Sequence, residues 1–168
     1  KLDLQVGISR VRLDRSAWFL GEDVAKQLHG YATARASVTG YQESLRLRGS
    51  IEGRELRVNS LPIGAAHSGV IARLDLNHLA WSVHLPSIRS HVGGGQLEGE
   101  MLVKWSHRGG LDLDSTWKSQ RVDFLRLMNQ LGTSTSFAQG KVSGVLTIDG
   151  KDVEAIDDVT GRFNFRLE

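Results

Sequence analysis

The chain of 168 residues contains no cysteine. That excludes disulfides, thiolate nucleophiles and cysteine-based zinc sites. It leaves the compartment open, because cysteine-free chains occur on both sides of a membrane. Only two prolines stand against nineteen glycines, a balance that suits many strands joined by tight turns. No apolar run approaches the roughly 20 residues needed to cross a bilayer as a helix. There is no strong charge of either sign: 21 Lys and Arg oppose 19 Asp and Glu, for a net charge of +2. So small an excess is weak support for nucleic-acid binding. Hydrophobic residues at 40% and charged residues at 24% are ordinary for a folded chain, which argues against disorder. The length is enough for one domain with a core.

What the chain does have is a glycine-anchored pattern of alternation. It reads Gly, any, apolar, any, small, any, apolar, any, apolar. One copy runs from Gly95 through Leu97, Gly99 and Met101 to Val103, and a second from Gly140 through Val142, Gly144 and Leu146 to Ile148. A thinner copy spans Gly30 to Val38. Period-two alternation lines one face of a sheet with one row of side chains. Repetition points to a layered or elongated β-structure. The identical register of the two copies predicts that Leu97, Met101, Val103, Val142, Leu146 and Ile148 share one apolar side.

Alternation recurs elsewhere. Leu2, Leu4, Val6 and Ile8 form one row, continued by Val11 and Leu13 after a one-residue shift, as in a bulge. The other expected strands cover 30–38, 43–51, 54–59, 69–76, 79–85, 95–105, 111–117, 140–149 and 161–167. Leu45 and Leu47 alternate with Arg46 and Arg48; Trp81 and Val83 alternate with Ser82 and His84. One-sided burial of this kind predicts a curved antiparallel sheet with one wet face. An open groove and a closed two-sheet sandwich both satisfy it.

Two segments break the period. Residues 22–29 read as a short helical turn, with Val24, Ala25 and Leu28 on its apolar side. In 121–131, Val122, Phe124, Leu125, Met128 and Leu131 recur at three and four, predicting an amphipathic helix stopped by Gly132. Phe124, Leu125, Met128 and Leu131 are expected to cap the end or interior of the sheet. Gly132 to Gln139 reads as a loop. Both ends of the chain fall inside strand patterns, so the sequence is expected to be a single β-rich unit, residues 1–168, of a longer protein.

No constellation for chemistry stands out. The six histidines, His29, His67, His78, His84, His91 and His107, show no metal-ligand spacing. A Gly-x-Ser-x-Gly elbow is missing. Gly93-Gly94-Gly95 lacks the Lys-Ser/Thr of a phosphate loop and reads as a hairpin tip. Arg46, Arg48, Arg54 and Arg57 form a basic cluster, read as a solvated strand face or a contact for anionic headgroups. No aromatic interleaves with them, which argues against nucleic acid. Trp18, Trp81, Trp105 and Trp117 read as packing residues, with an exposed carbohydrate-binding row as the alternative. The expectation is a chain without catalytic residues, cofactor or metal.

The segment 121–167 carries a resemblance. Val-Asp-Phe-Leu-Arg-Leu-Met-Asn-Gln-Leu-Gly is followed by Gly-Lys-Val-Ser-Gly-Val-Leu-Thr-Ile-Asp-Gly and then by Thr-Gly-Arg-Phe-Asn-Phe-Arg-Leu. This order of helix, glycine-anchored strand, Asp-Gly turn and closing strand resembles the C-terminal region of AsmA-like proteins, relatives of the TamB type in diderm bacterial envelopes. Leu56 to Leu61 and the strand from Gly69 to Leu76 look like the preceding repeat. The resemblance implies a taco-shaped β-groove whose apolar lining carries or shields lipid acyl chains. In this chain the implied lining is Trp81, Val83, Leu97, Met101, Val103, Trp105, Val142, Leu146, Ile148, Phe163 and Phe165. It further implies a periplasmic or envelope setting, membrane association through the parent protein and self-association through strand edges. The runner-up is a β-sandwich that binds carbohydrate or protein.

Overall fold

The computed structural model describes residues 2–16, 26–41, 43–58, 61–130, 139–154 and 158–168. Nine strands form one antiparallel sheet in chain order: β1 (Leu2–Arg12), β2 (Leu28–Tyr41), β3 (Ser44–Val58), β4 (Leu61–Asp75), β5 (Ala80–Val92), β6 (Gly95–Ser106), β7 (Gly110–Asp123), β8 (Lys141–Gly150) and β9 (Val159–Leu167). A helical turn, α1 (Leu13–Ser16), follows β1, and a short helix, α2 (Phe124–Gln130), follows β7. The sheet is open: β1 and β9 are its two edges and do not pair with each other.

The cross-strand register turns alternation within each strand into two continuous faces. Along one row Val38 faces Leu47, Leu47 faces Ala72, Ala72 faces Val83, Val83 faces Val103, and Val103 faces Leu113. Along a neighbouring row Gly40, Leu45, Leu74, Trp81, Trp105 and Leu111 follow one another. The opposite face carries Thr39, Arg46, Arg73, Ser82, Lys104 and Asp112 in the same order of strands. Directly opposed residues of an antiparallel pair point to the same side, so the sheet is apolar on one face and polar on the other.

Several strands run longer than alternation alone predicts, for one shared reason. On β1, β3, β5 and β7 the apolar row changes parity once, at register shifts between Ile8 and Val11, Gly53 and Leu56, Leu85 and Ile88, and Ser119 and Val122. Each is a bulge, which adds a residue, bends the strand and restores the apolar row to its face. Arg10, Glu55 and Arg121 sit in three of them with positive φ, and Pro86 sits in the fourth. The backbone N–H of Arg10 donates to Thr33 Oγ1 (3.4 Å), and that of Arg121 donates to Ser143 Oγ (3.0 Å). Hydroxyls on the neighbouring strands thus take over ladder bonds that the bulges give up. The expected strands 43–51 and 54–59 are therefore one strand, β3. The expected strand 79–85 continues through Pro86 to Val92.

Two helix expectations change. Arg121 to Asp123 belong to β7, with Val122 buried in the sheet, and α2 starts at Phe124. Leu28 and His29 open β2, while residues 22–25 of the expected turn lie outside the described residues. Leu13 lies in α1 instead of extending the row of β1. Trp18, Leu131 and residues 132–138 also lie outside the described residues.

Among the described residues no second layer lies on the apolar face. Among the described residues only Ile88, Val92, Val103 and Val122 are buried apolar side chains. The chain exposes 11733 Å², whereas a compact monomer of this mass exposes about 8200 Å². What burial there is comes from bending. Small residues occupy the apolar face where strands crowd, and Gly99 lies under the Trp117 ring, where an added Cβ would come 2.6 Å from Cε3. The Trp117 indole donates to Ser115 Oγ (3.0 Å), satisfying a buried hydroxyl. Gly99→Ala is expected to destabilise the chain by about 1–3 kcal/mol, because the ring and the Thr116 carbonyl must both give way. Denaturant titration checks this, and an unchanged midpoint would show that the ring moves aside freely.

Candidate functional site

The apolar face is the candidate site, and it is built by register. Trp81, Val83, Trp105, Val103, Met101 and Leu97 occupy it on β5 and β6. Leu146 stands opposite Trp117, Ile148 opposite Ser115, and Val142 opposite Val122, which places the β8 row on the same side. Phe163 then faces Leu146, and Phe165 faces Gly144. All eleven residues of the expected lining thus share one face. The Trp81 and Trp105 rings stack, with centroids 6.5 Å apart, and so do Phe163 and Phe165 at 5.3 Å. Stacking of this kind fixes ring orientation within the face.

Exposure grades along it. Val103 is buried and its neighbours on β5 to β8 are half-buried, whereas Phe163 and Phe165 on β9 are 52% and 65% exposed. Leu4, Val6 and Ile8 on β1 are exposed in the same way. The apolar face therefore opens to solvent at both edges of the sheet. A depression in it, with a volume of about 320 Å³, is lined by the seven apolar residues Val38, Leu45, Leu47, Ala72, Leu74, Trp81 and Val83, together with Arg73 and Ser82. That is at the small end of ligand-sized pockets. Of these seven residues, only Trp81 and Val83 belong to the lining implied by the resemblance. The others carry the same signal, strict alternation on β2, β3 and β4, but are not part of the expected lining.

The helix expected as a cap corresponds to α2. Asp123 starts α2 as its N-cap, its carboxylate accepting from the Arg126 backbone N–H (2.9 Å). The Asp123 N–H donates to the Gly93 carbonyl and the Phe124 N–H to the Gly140 carbonyl, which ties the start of the helix to the β5–β6 turn and to the residue before β8. Phe124, Leu125, Leu127 and Met128 are half-buried, not buried. Leu131 lies outside the described residues.

Polar groups elsewhere are engaged with one another. A cleft of about 810 Å³ holds Arg12, Asp14, His29, Tyr31, Glu55 and Arg57. Within it Arg12 Nε donates to Asp14 Oδ1 (3.1 Å) and Nη2 to Oδ2 (2.6 Å), and this bond holds the Asp14 carboxyl below the usual carboxylate range. The Arg10 guanidinium lies 5.0 Å from the Tyr31 ring centroid. Asp75 is likewise lowered, first by its bond to the His78 ring (2.9 Å) and then by the His78 and Asn77 backbone N–H groups. A lowered carboxyl favours the folded state above its unfolded pKa, and that contribution is lost as pH falls through the folded value. The hydroxyls of Ser37, Ser68, Ser90 and Ser119 donate to backbone carbonyls. Among the described residues no group of three or more His, Asp or Glu could hold a metal ion.

With this geometry in hand, the chain was compared with known proteins: no family model, curated protein or solved structure matches it.

Half-burial sets the scale for the cap. Phe124→Ala is expected to cost roughly 1–2 kcal/mol, below the 3–5 kcal/mol of a fully buried phenylalanine. Asp123→Ala is expected to cost about 1 kcal/mol by loss of the N-cap. Chemical denaturation of both variants checks this. A loss near 4 kcal/mol for Phe124→Ala would mean that α2 is buried deeper than its exposure indicates.

Proposed function

We infer that this chain is a non-enzymatic, AsmA-like groove module that shelters lipid acyl chains against its apolar face, within the envelope of a diderm bacterium. The observation that carries the reading is the uncovered apolar face itself. It runs from β1 to β9 without a charged side chain on the paired rows, and no layer of the described chain packs over it. An apolar surface of that extent needs an occupant. Acyl chains suit it because they are long, apolar and without hydrogen-bonding groups, as are the rows of Leu, Val, Ile and Trp that would meet them. The buried hydroxyls on the face, Ser68, Ser90 and Ser115, are already bonded within the chain and ask for no polar ligand.

The order of motifs in 121–167 supports the same reading and adds the setting: a periplasmic location, with any membrane tether in the parent protein. The edge strands fit it too. Each leaves a backbone edge unpaired beside exposed apolar side chains, so a further strand would lengthen the sheltered surface. The sandwich alternative would need a second sheet over the apolar face, and the described residues supply none.

Native mass spectrometry of the purified chain is expected to show bound phospholipid or fatty acid. A photo-crosslinker replacing Leu47, on the apolar face, is expected to label with an acyl-chain probe. The same crosslinker replacing Arg48, its outward neighbour, is not. Equal labelling at the two positions, together with a lipid-free mass spectrum, would sink the reading.

A further inference from the structure

Three hairpin turns at one end of the strands form a continuous rim. They are the β2–β3 turn, entered from Tyr41 and containing Glu43, the β4–β5 turn at Leu76–Leu79 and the β6–β7 turn at His107–Gly109. Pairing continues beyond the strand ends. The Leu76 N–H donates to the Glu43 carbonyl (2.9 Å), and the His107 N–H donates to the Leu79 carbonyl (3.2 Å). Asn77 Nδ2 also donates to Glu43 Oε2 (3.2 Å). Each turn is thus tied to its neighbour by a backbone bond.

Among the polar residues of this rim stand three exposed apolar side chains. Tyr41 is 68% exposed, Leu79 54% and Leu76 47%. Just behind the tips, on the polar face, Arg46 stands directly opposite Arg73, with Lys104 two strands further along the same row. Arg48 lies beyond Arg46 on the same face and Arg108 lies in the third turn. Like charges placed directly opposite each other on a sheet are destabilising. Among the described residues neither Arg46 nor Arg73 has a carboxylate partner. The carboxylates of this region are engaged elsewhere: Glu43 by Asn77, Asp75 by His78, and Asp112 by the Asp152 backbone N–H. Asp112 also stands opposite Lys104 in register.

We propose that this rim docks on an anionic bilayer surface, with Tyr41, Leu76 and Leu79 entering the headgroup region and Arg46 and Arg73 meeting lipid phosphates. Separate apolar side chains exposed at this end of the sheet, one of them tyrosine, match the amphipathic depth profile of a membrane interface. Basic residues just behind them add electrostatic attraction to anionic headgroups. A two-fold contact between copies through the rim would instead set Arg46 and Arg73 against their own counterparts. The proposal concerns the rim and stands whether or not the apolar face takes acyl chains.

Flotation of the full chain with vesicles tests it. Vesicles of phosphatidylcholine mixed with phosphatidylglycerol are expected to carry the chain to the top of the gradient, vesicles of phosphatidylcholine alone much less, and added salt to weaken the first. The triple variant Tyr41→Ser, Leu76→Ser, Leu79→Ser is expected to bind at least about tenfold more weakly, since each exposed apolar side chain contributes to insertion. The double variant Arg46→Gln, Arg73→Gln is expected to lose roughly thirtyfold on the anionic vesicles, at about the energy of one headgroup contact per arginine. Val145→Ser, an exposed apolar residue of the polar face far from the rim, is expected to bind as the parent does. Circular dichroism confirms that each variant is folded. Equal flotation with both vesicles, or parent-like flotation of either rim variant, would overturn the proposal. So would a dimer in sedimentation that the triple variant dissolves, since the rim would then belong to a second copy.

Discussion

Everything in this chain depends on nine strands keeping one register. Side chains alternate across a sheet with a period of two, so a slip of one residue would exchange the two faces of a strand. Such a slip on β6 would put Lys104, Glu100 and Glu98 among the tryptophans of the apolar face and turn Val103 and Met101 to water. The penalty for burying those charges without partners is large compared with the net stability of a domain. Register is therefore specified strongly at the centre of the sheet. It is specified more weakly at β1 and β9, where the apolar side chains are exposed in either case.

Bending follows from the same constraint. A flat amphipathic sheet would leave its whole apolar face in water. The bulges on β1, β3, β5 and β7 curve the strands, and the small residues of the apolar face let them close in. Gly99 under Trp117 and Gly49 against Ala36 are the clearest contacts of this kind. Among the described residues the result is partial burial without a second layer, and it explains why none of their large side chains is fully buried while most apolar residues on β5 to β7 are half covered. Non-glycine residues hold positive φ at three of the bulges, a strain of about 1 kcal/mol or more each. The sheet accepts that strain because the parity change keeps every apolar residue beyond the bulge on the correct face.

Much of this was legible in the sequence where alternation is unbroken. Leu45 with Leu47, Val70 with Ala72 and Leu74, and the paired glycine-anchored motifs all report their faces correctly. Reading failed at the bulges. Ile51 and Gly53 lie on odd numbers and Leu56 and Val58 on even ones, so β3 reads as two strands. Val122 breaks the parity of β7 and falls three residues before Leu125, so it reads as helix. Pro86 looks like the end of a strand and is instead the bulge inside β5. The apolar face was legible as rows, but the depression among Leu45, Leu47 and Leu74 depends on which strands lie beside which. Period alone does not carry that information. The rim of turns was not visible either, since the tie between Glu43 and Leu76 spans a whole hairpin.

The order of strands has a consequence for how the chain comes into being. Every strand pairs only with the strand before it and the strand after it. No pairing waits for a distant segment, which is unusual for so large a sheet and lowers the loop-closure entropy that slows most all-β proteins. Folding can begin at any hairpin and spread outward one strand at a time, in the manner of a repeat array. On a ribosome it can keep pace with synthesis, each new strand finding its template already in place. The growing sheet always ends in an unpaired strand with apolar side chains in water. The moment of greatest aggregation risk is therefore not the unfolded chain but each half-finished sheet, and an early occupant of the apolar face would protect the intermediate as well as the product.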